Sequence, residues 1–379
     1  MTELRERITE TFHAVYGAPP THLVRAPGRV NLIGEHTDYN EGFVLPMAID
    51  RSIWIALRPR NDREVKLYSL DFANEFSFNL DQITYNKEGW GKYIKGIAWV
   101  LHNNGYQING WEGVIAGDIP IGAGLSSSAA LELVAAGAFA AASGFAWEPT
   151  RMAQLAQVSE NSWIRVRSGI MDQLVCAHGK QGHALLIDCR NLEMTPYSIP
   201  ADVSVMILDT STRRELTDTA YNDRRRECAV AAAKLGARVL RDAKLQDLAN
   251  SQLDPVLLKR ARHVLTENAR VLDAVAALKQ GNLAEFGTLL NASHASLRDD
   301  FEVSRPELDQ MAAIAQSHAD CYGARLTGAG FGGCVVGLVR RGAETEFSQR
   351  VAVEYMAATG LKAEIYAVNA MDGVEIIEF

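Results

Sequence analysis

Cysteine is sparse in this sequence, and its distribution argues against two common frameworks of small domains. The 379 residues contain five cysteines, at positions 176, 189, 228, 321 and 334. Their number is odd and no two stand in a C-x-x-C spacing, so the pattern favours neither a disulfide frame nor a zinc site. It is typical of reduced thiols and predicts a cytoplasmic protein.

Long basic and long apolar segments are also missing. The formal net charge is −8, and the densest basic cluster, Arg224–Arg226, is followed directly by Glu227, as on a solvated helix face. The longest apolar run, Ala129–Trp147, contains Glu132 and consists mostly of alanine and glycine, which transfer weakly into lipid. Residues 1–17 are charged and amphipathic, without the apolar core of a signal peptide. We therefore expect no nucleic-acid partner and no membrane partner.

The sequence has no Gly-Lys-Ser/Thr and therefore no Walker A phosphate loop. It does contain GDIPIGAGLSSSAALEL at residues 117–133, where glycines precede three serines and an apolar run. Glycine-rich backbone before a helix lets an anion reach the unpaired N–H groups of the helix N-terminus. A flexible loop before a well-capped helix would explain the same residues. A phosphate loop without a lysine must obtain its positive charge elsewhere.

A second glycine cluster, TGAGFGGC at residues 327–334, formally matches G-x-G-x-x-G. A dinucleotide fingerprint should lie between a strand and a helix, whereas the apolar residues 334–339 that follow favour a strand. A tight hairpin is the simpler interpretation, and an NAD-binding enzyme is a weaker alternative.

Two further segments combine polar residues with apolar surroundings. Residues 25–46 contain Glu35, His36 and Asp38 between apolar stretches, which is typical of a binding wall for a hydroxyl-rich ligand, although each residue alone is an ordinary turn residue. Further on, Asp172 stands among apolar neighbours. A carboxylate among apolar residues destabilises the fold unless it is ion-paired or has a catalytic function. Capping of a helix is the alternative explanation.

The periodicity of the chain predicts an α+β protein. Residues 3–16 have helical spacing, and residues 65–80 alternate as an antiparallel strand pair would. The segment after residue 209 is strongly helical until alternation returns near the C-terminus. This organisation favours two lobes, residues 1–195 and 196–379, with an approximate boundary.

Taken together, these segments resemble the galactokinase family of the GHMP small-molecule kinase superfamily. The specific match is GRVNLIGEHTDYNEGFVLP at residues 28–46, which is similar to the galactokinase signature. GAGLSSSAALE resembles the superfamily phosphate loop, SGIMDQ the segment of the catalytic aspartate, and TGAGFGGC the third superfamily motif. Residues 221–228 and 293–304 also resemble galactokinases.

The resemblance implies a two-lobed fold of mixed β-sheets and helices with the active site in the cleft between the lobes. It implies ATP-dependent phosphorylation of α-D-galactose at O1 to galactose 1-phosphate, the first committed step of the Leloir pathway, with Mg²⁺ as cofactor. The partners would be two small molecules, galactose and ATP. We expect a monomer or a weak oligomer.

The resemblance also implies roles for individual residues. Asp172 would be the catalytic base and Arg29 the catalytic arginine, while Ser128 and Glu160 would be the Mg²⁺ ligands. The sugar contacts would be Glu35, His36, Asp38, Gly169 and Tyr221. The phosphate loop would be Gly122, Ala123, Gly124, Leu125, Ser126, Ser127 and Ser128.

The sequence departs from the family pattern at Arg165, where the family usually has glycine, and Arg167 follows two positions on. The two side chains either point to solvent or add positive charge to the cleft and change the substrate range. Two other functions stay open: a broader sugar-1-kinase, acting for example on N-acetylgalactosamine, and a non-catalytic sensor of galactose and ATP. The intact residues 35–42 favour galactose, and the retained serines 126–128 favour an enzyme.

Overall fold

The computed structural model describes residues 2–85, 89–213 and 217–379. Its strands are β1 His22–Asn31, β2 Phe43–Val44, β3 Pro46–Pro59, β4 Glu64–Ser69, β5 Asn74–Asn79, β6 Trp111–Gly117, β7 His183–Asp188, β8 Glu193–Ser198, β9 Val203–Asp209, β10 Cys321–Leu326, β11 Cys334–Arg340, β12 Glu364–Val368 and β13 Glu375–Glu378. Its α-helices are α1 Thr2–Tyr16, α2 Gly91–Asn103, α3 Ser127–Ser143, α4 Pro149–Val158, α5 Met171–His178, α6 Thr217–Lys234, α7 Leu245–Ala249, α8 Pro255–Lys279, α9 Leu283–Asp299, α10 Pro306–Gln316 and α11 Glu344–Thr359.

The larger sheet has six strands in the order β13-β1-β3-β6-β4-β5, and only its β4–β6 pair is parallel. The alternation at residues 65–80 correctly predicts the antiparallel pair β4–β5. Helix α3 packs against β1 and β3 and is buried on nearly every side. Its alanines and Gly137 suit this position, because small side chains let a helix lie close to a sheet.

The second sheet has the order β10-β11-β9-β12 and is antiparallel throughout. The central strands β9 and β11 are almost continuously apolar and buried, as strands covered on both faces are. Helices α9 and α10 pack against β10, and α11 packs against β11 and β12. A small third sheet, β2-β7-β8, joins the two parts.

The C-terminal segment connects the two larger sheets. Directly after β12, the N–H of Met371 donates to the Ala48 carbonyl at 3.0 Å, and the N–H of Asp50 donates to the Asn369 carbonyl at 3.2 Å. β13 then pairs with β1 at the edge of the first sheet. The predicted α+β fold with mixed sheets is confirmed, whereas the division of the chain at residues 195–196 stays a prediction.

The apolar run at residues 129–147 belongs to a buried helix. α3 ends at Ser143, and Gly144 follows with a φ of +72°, a left-handed conformation that terminates the helix. Within the described ranges, no helix combines the length and the apolar character needed to cross a membrane.

Two glycines allow α9 to lie directly on β10. A Cβ on Gly287 would overlap the carbonyl group of Tyr322, and a Cβ on Gly323 would overlap the backbone of Gly287. The obstructing atoms are backbone atoms, which cannot rotate away as the end of a side chain can. This contact therefore fixes β10, whose last residue leads into the glycine cluster at residues 327–333.

The substitution Gly287→Ala should lower the free energy of unfolding by about 2–3 kcal/mol, because the added methyl group forces α9 away from β10. Thr288→Ala, on the exposed side of the same helix, is the matched control and should change stability by less than about 0.5 kcal/mol. Urea denaturation of both variants measures the difference. Equal midpoints would contradict the close packing.

Candidate active site

The segment between β6 and α3 forms an open loop at one end of the cleft. Gly122 and Gly124 have φ values of +72° and +86°, and Ser126 has a φ of +59° directly before α3. The Ser126 side chain does not cap the helix, because its hydroxyl donates to Asp172 instead. The N-terminus of α3 consequently faces the cleft without that cap, in the arrangement that suits an anion.

Arg29 and Asp172 form a bidentate ion pair beneath this loop. Arg29 Nε and Nη2 donate to the two carboxylate oxygens of Asp172 at 2.7 and 2.8 Å, and Nη1 donates to the Gly124 carbonyl at 2.6 Å. Burial alone would lower the pKa of Arg29, but the charges of Asp172 and Glu35 outweigh burial and raise it above its usual value. The guanidinium thus stays charged and holds the carboxylate in one orientation.

The carboxylate of Asp172 remains open on one side. It lies in the first turn of α5, where the helix dipole favours negative charge, and its side chain is 27% exposed toward the cleft. An oriented carboxylate with one open side can accept a proton from a hydroxyl group placed against it.

Glu160 lies in a π-helical turn, Ser159–Ile164, a local geometry that is frequent at functional sites. Its carboxylate accepts hydrogen bonds from the hydroxyls of Ser128, at 3.1 Å, and Ser168, and from the amide of Gln173 at 2.7 Å. Burial raises the pKa of Glu160 above its ordinary range. Burial and the charge of Glu160 also raise the pKa of Glu132, which lies one helical turn after Ser128.

Ser128 and Glu160 fit the way in which proteins bind Mg²⁺. Both are hard oxygen donors and both line the same cavity. In residues 2–85, 89–213 and 217–379, no group of three or more His, Cys, Asp or Glu is placed to hold a metal ion by itself. Mg²⁺ commonly binds through one or two protein ligands together with waters and substrate phosphates, and this pair suits that mode.

Asp38 and Gly169 form the opposite wall of the cleft. Asp38 accepts from the N–H of Tyr39 at 2.9 Å and from the N–H of Met171 at 3.5 Å. A Cβ on Gly169 would overlap the Asp38 carboxylate, so only glycine fits there. Burial, and to a lesser extent the charge of Asp172, raises the pKa of Asp38 to about 6. This acid therefore changes charge just below neutral pH.

Glu35 and His36 connect the first lobe to the second glycine cluster. Glu35 accepts from the N–H of Gly328 at 2.6 Å, so one of its oxygens holds the backbone of the glycine cluster at residues 327–333 in place. The His36 ring bonds to the Tyr39 hydroxyl at 2.9 Å and to the Ala329 carbonyl at 3.2 Å. The ring of Tyr221, from α6, lies 5.5 Å from the His36 ring and closes the wall from the second lobe.

These groups surround one cavity of about 350 Å³. It is lined by Arg29, Glu35, His36, Asp38, Tyr93, Ile121, Gly122, Gly124, Ser126, Ser127, Ser128, Glu160, Val166, Ser168, Gly169, Met171, Asp172, Tyr221, Gly328 and Ala329. The structure thus brings together almost all residues that the sequence predicted. Ala123 and Leu125 are the exceptions, because they are buried and do not line the cavity.

A second, more apolar cavity of about 380 Å³ adjoins the first. The two share Tyr93, Ile121, Ser127 and Ser128. Its other lining residues are Ile53, Ser69, Asp71, Phe72, Trp90, Ile115, Gly117, Ile119 and Leu131. The N-terminus of α3 therefore lies between a polar and an aromatic-lined compartment.

Several residues at the site were not found from the sequence. Tyr93 reaches both cavities from α2, and Ser168 lines the first. The Arg213 side chain lies beside the phosphate loop, since a Cβ on Gly122 would be 3.4 Å from its Cδ, and it donates to Asp209 at 2.7 Å. The only sequence signal for Arg213 was the need for positive charge near a lysine-free loop.

The glycine cluster at residues 327–333 joins β10 to β11, which pair antiparallel. The hairpin interpretation is correct. The NAD-binding alternative is wrong, because the cluster is not followed by a helix. A Cβ on Gly333 would be 2.7 Å from the Ala123 carbonyl, so the hairpin packs against the phosphate loop.

Arg165 and Arg167 are both exposed and neither lines the cavity. Arg165 ends the π-helical turn with a φ of +72°, the left-handed conformation that glycine adopts without strain. Its guanidinium lies 5.2 Å from the centre of the Tyr85 ring. The solvent-facing interpretation of these arginines therefore agrees with the structure.

Comparisons with known proteins place these features in context. The family model for the galactokinase galactose-binding signature matches residues 10–59, and models for the N- and C-terminal domains of GHMP kinases match residues 92–180 and 274–358. A galactokinase from Roseiflexus sp. (strain RS-1) is 48% identical over 98% of this chain and 96% of its own length.

Solved structures agree with these matches. The crystal structure of Lactococcus lactis galactokinase complexed with galactose has a TM-score of 0.93 at 38% identity, covering 97% of this chain and 98% of that chain. The mevalonate kinase of Methanococcus jannaschii has a TM-score of 0.67 at 22% identity, covering 92% of this chain and 98% of its own, and shares the fold.

The substitution Arg165→Gly should raise the free energy of unfolding by about 1 kcal/mol, because glycine relieves the left-handed strain. The loss of the contact with Tyr85 offsets part of this gain. Thermal unfolding of Arg165→Gly beside Arg165→Ala, which keeps the strain, isolates the backbone effect. A glycine variant no more stable than the alanine variant would contradict it.

Proposed function

This chain belongs to the galactokinase family and is an ATP-dependent sugar kinase, and on this premise we propose how its residues carry out the reaction. The acceptor is galactose, held at its O1 against Asp172, and the donor is the γ-phosphate of ATP. The observation that carries the proposal is the Arg29–Asp172 ion pair, which lies where the phosphate loop meets the wall formed by Asp38 and Gly169.

The two adjoining cavities divide the substrates between them. The polar cavity, with its carboxylates and Tyr221, suits the hydroxyl groups of a sugar. The aromatic-lined cavity, with Phe72, Trp90 and Tyr93, suits the flat base of a nucleotide. The phosphates then lie between the cavities, at the N-terminus of α3 and the loop from Gly122 to Ser128.

Asp172 acts as the base in this scheme. It accepts the proton of the sugar O1 as that oxygen attacks the γ-phosphorus, while the bond from phosphorus to the ADP oxygen breaks. Arg29 orients the carboxylate through two hydrogen bonds and adds a fixed positive charge close to the transferring group. Positioning and electrostatic stabilisation supply most of the catalysis in such transfers.

Mg²⁺ would be held by Ser128 and Glu160, and when bound there it would neutralise charge on the phosphate oxygens. The residues that line the polar cavity support this assignment. Four of them are acids, Glu35, Asp38, Glu160 and Asp172, and Arg29 is the one arginine or lysine among the described lining residues. A triphosphate entering this site needs more positive charge than Arg29 provides.

The same geometry favours an enzyme over a sensor. Arg29 and Ser126 both donate hydrogen bonds to Asp172 beside an open cavity, which simple binding of galactose and ATP would not require. For the sugar, the match of residues 10–59, which include Glu35, His36 and Asp38, to the galactokinase galactose-binding signature favours galactose over an acetylated amino sugar.

Other aspects of the biology are also proposals. All five cysteines are free thiols in the structure, which supports a reducing compartment such as the cytoplasm. We keep a monomer or weak oligomer as the expected state, with galactose and ATP as the partners.

The substitution Asp172→Asn should reduce kcat by about 10²–10⁴-fold, because the amide keeps the shape of the side chain but cannot accept the proton. Coupled ADP-release assays with galactose, and with N-acetylgalactosamine and glucose as comparison sugars, measure the effect. Nucleotide affinity, measured by calorimetry, should change little.

An unchanged kcat in Asp172→Asn would remove this residue from the chemistry. Saturable binding of galactose and ATP by the wild-type protein without turnover of any sugar would instead support the sensor.

Galactose affinity should increase as the pH rises through about 6, because ionised Asp38 is the stronger acceptor for sugar hydroxyls. Well below that pH, each unit should cost about tenfold in affinity. Rising pH has the opposite effect on the stability of the fold. Because the folded protein holds this proton up to a higher pH than the unfolded chain does, Asp38 reduces stability as the pH rises from about 4 to 6.

Calorimetric titration with galactose between pH 5 and pH 8 tests the effect of Asp38. Asp38→Asn should bind weakly and without this pH dependence. Asp172→Asn, which removes a negative charge close to Asp38, should keep the dependence with its midpoint at a lower pH. A wild-type affinity that is flat across the range would contradict the assignment.

A further inference from the structure

Side chains on one face of helix α6 contact residues 167–169 of the first lobe across the cleft. Arg225 Nη1 donates to the carbonyls of Arg167, at 2.6 Å, and Ser168, at 3.2 Å. Asn222 Oδ1 accepts from the N–H of Arg167 at 3.2 Å, and Tyr221 lines the same cavity as Ser168 and Gly169. We call these three α6 side chains and residues 167–169 the α6 latch.

Residues 167–169 connect the surroundings of Glu160 with those of Asp38. The Ser168 hydroxyl donates to the Glu160 carboxylate, and Gly169 packs directly against Asp38. Residues 165–169 belong to no helix or strand, so no regular hydrogen-bond ladder holds their backbone in place. A displacement of this segment would move the sugar wall and a hydrogen-bond partner of Glu160 together.

Arg225 is the strongest member of the α6 latch. Hydrogen bonds from a charged donor are stronger than neutral ones, and a single nitrogen here serves two successive carbonyls. The guanidinium also lies 6.0 Å from the centre of the ring of Tyr39, whose backbone N–H donates to Asp38. Arg226 provides a contrast, because it is exposed and, among the residues that the structure describes, its ion pair is with Asp223 on its own helix.

We propose that Arg225 is a positioning residue through which the second lobe sets the geometry of the sugar wall and of the Glu160 carboxylate. It acts through the backbone of residues 167–169 and touches neither the reacting oxygen nor the phosphate. This inference rests on the proposed function, since it assigns galactose to the wall formed by Asp38, Gly169 and Tyr221.

The test compares Arg225→Gln, Arg225→Lys and the matched control Arg226→Gln. Arg225→Gln should weaken galactose binding by about tenfold and lower kcat. Because Ser168 also donates to Glu160, the proposed Mg²⁺ ligand, the KM for ATP should rise as well. Arg225→Lys keeps a charged donor and should recover part of both losses. Arg226→Gln should match the wild-type protein in every measurement.

Calorimetric galactose affinity and steady-state kcat and KM are measured on all four proteins, with thermal unfolding as the check on folding. Equal galactose affinities and kcat values in Arg225→Gln and Arg226→Gln would overturn the proposal, even if Arg225→Gln is less stable. Since affinity needs no turnover, a wild-type protein that binds galactose without phosphorylating it would overturn the proposed function and still decide the role of Arg225. A wild-type protein that does not bind galactose would overturn both.

Discussion

The ion pair between Arg29 and Asp172 is the constraint on which the rest of the site depends. Through it, β1, the phosphate loop and α5 have a fixed relative position, because Arg29 also holds the Gly124 carbonyl. A buried ion pair is a poor source of stability, since desolvation offsets much of its attraction. The pair instead fixes the geometry of the site, because the hydrogen bonds of Arg29 and Asp172 form only when β1, the phosphate loop and α5 are all in place.

The sequence identified the segments of the site well because each is a local motif. Residues 28–46, 122–128 and 168–173 carry their glycines and polar residues in short spacings, and the cavity unites them. Tyr93 and Arg213 could not be found in this way, because they reach the site from elements that carry no motif. The π-helical turn around Glu160 is likewise a product of packing that spacing does not reveal.

Two details of the site are informative in physical terms. Ala123 and Leu125 were predicted within the phosphate loop, but their side chains are buried in the core, so only the backbone there is free to serve an anion. Arg165 stands where the family usually has glycine, and the structure shows the reason for that usual glycine: the chain turns left-handed at this position. The departure adds backbone strain without adding charge to the cleft.

The return of β13 to the first sheet has a consequence for how the protein is made. β1 is almost entirely buried and has β3 on one side and β13 on the other, although β13 lies more than 300 residues later in the chain. A ribosome therefore completes the second lobe before the edge of the first sheet can close. Until then β1 exposes unpaired backbone groups, the type of edge that pairs with other chains. Nascent chains stalled or truncated before residue 375 should accordingly depend on chaperones, even though every residue that lines the active-site cavity has already been synthesised.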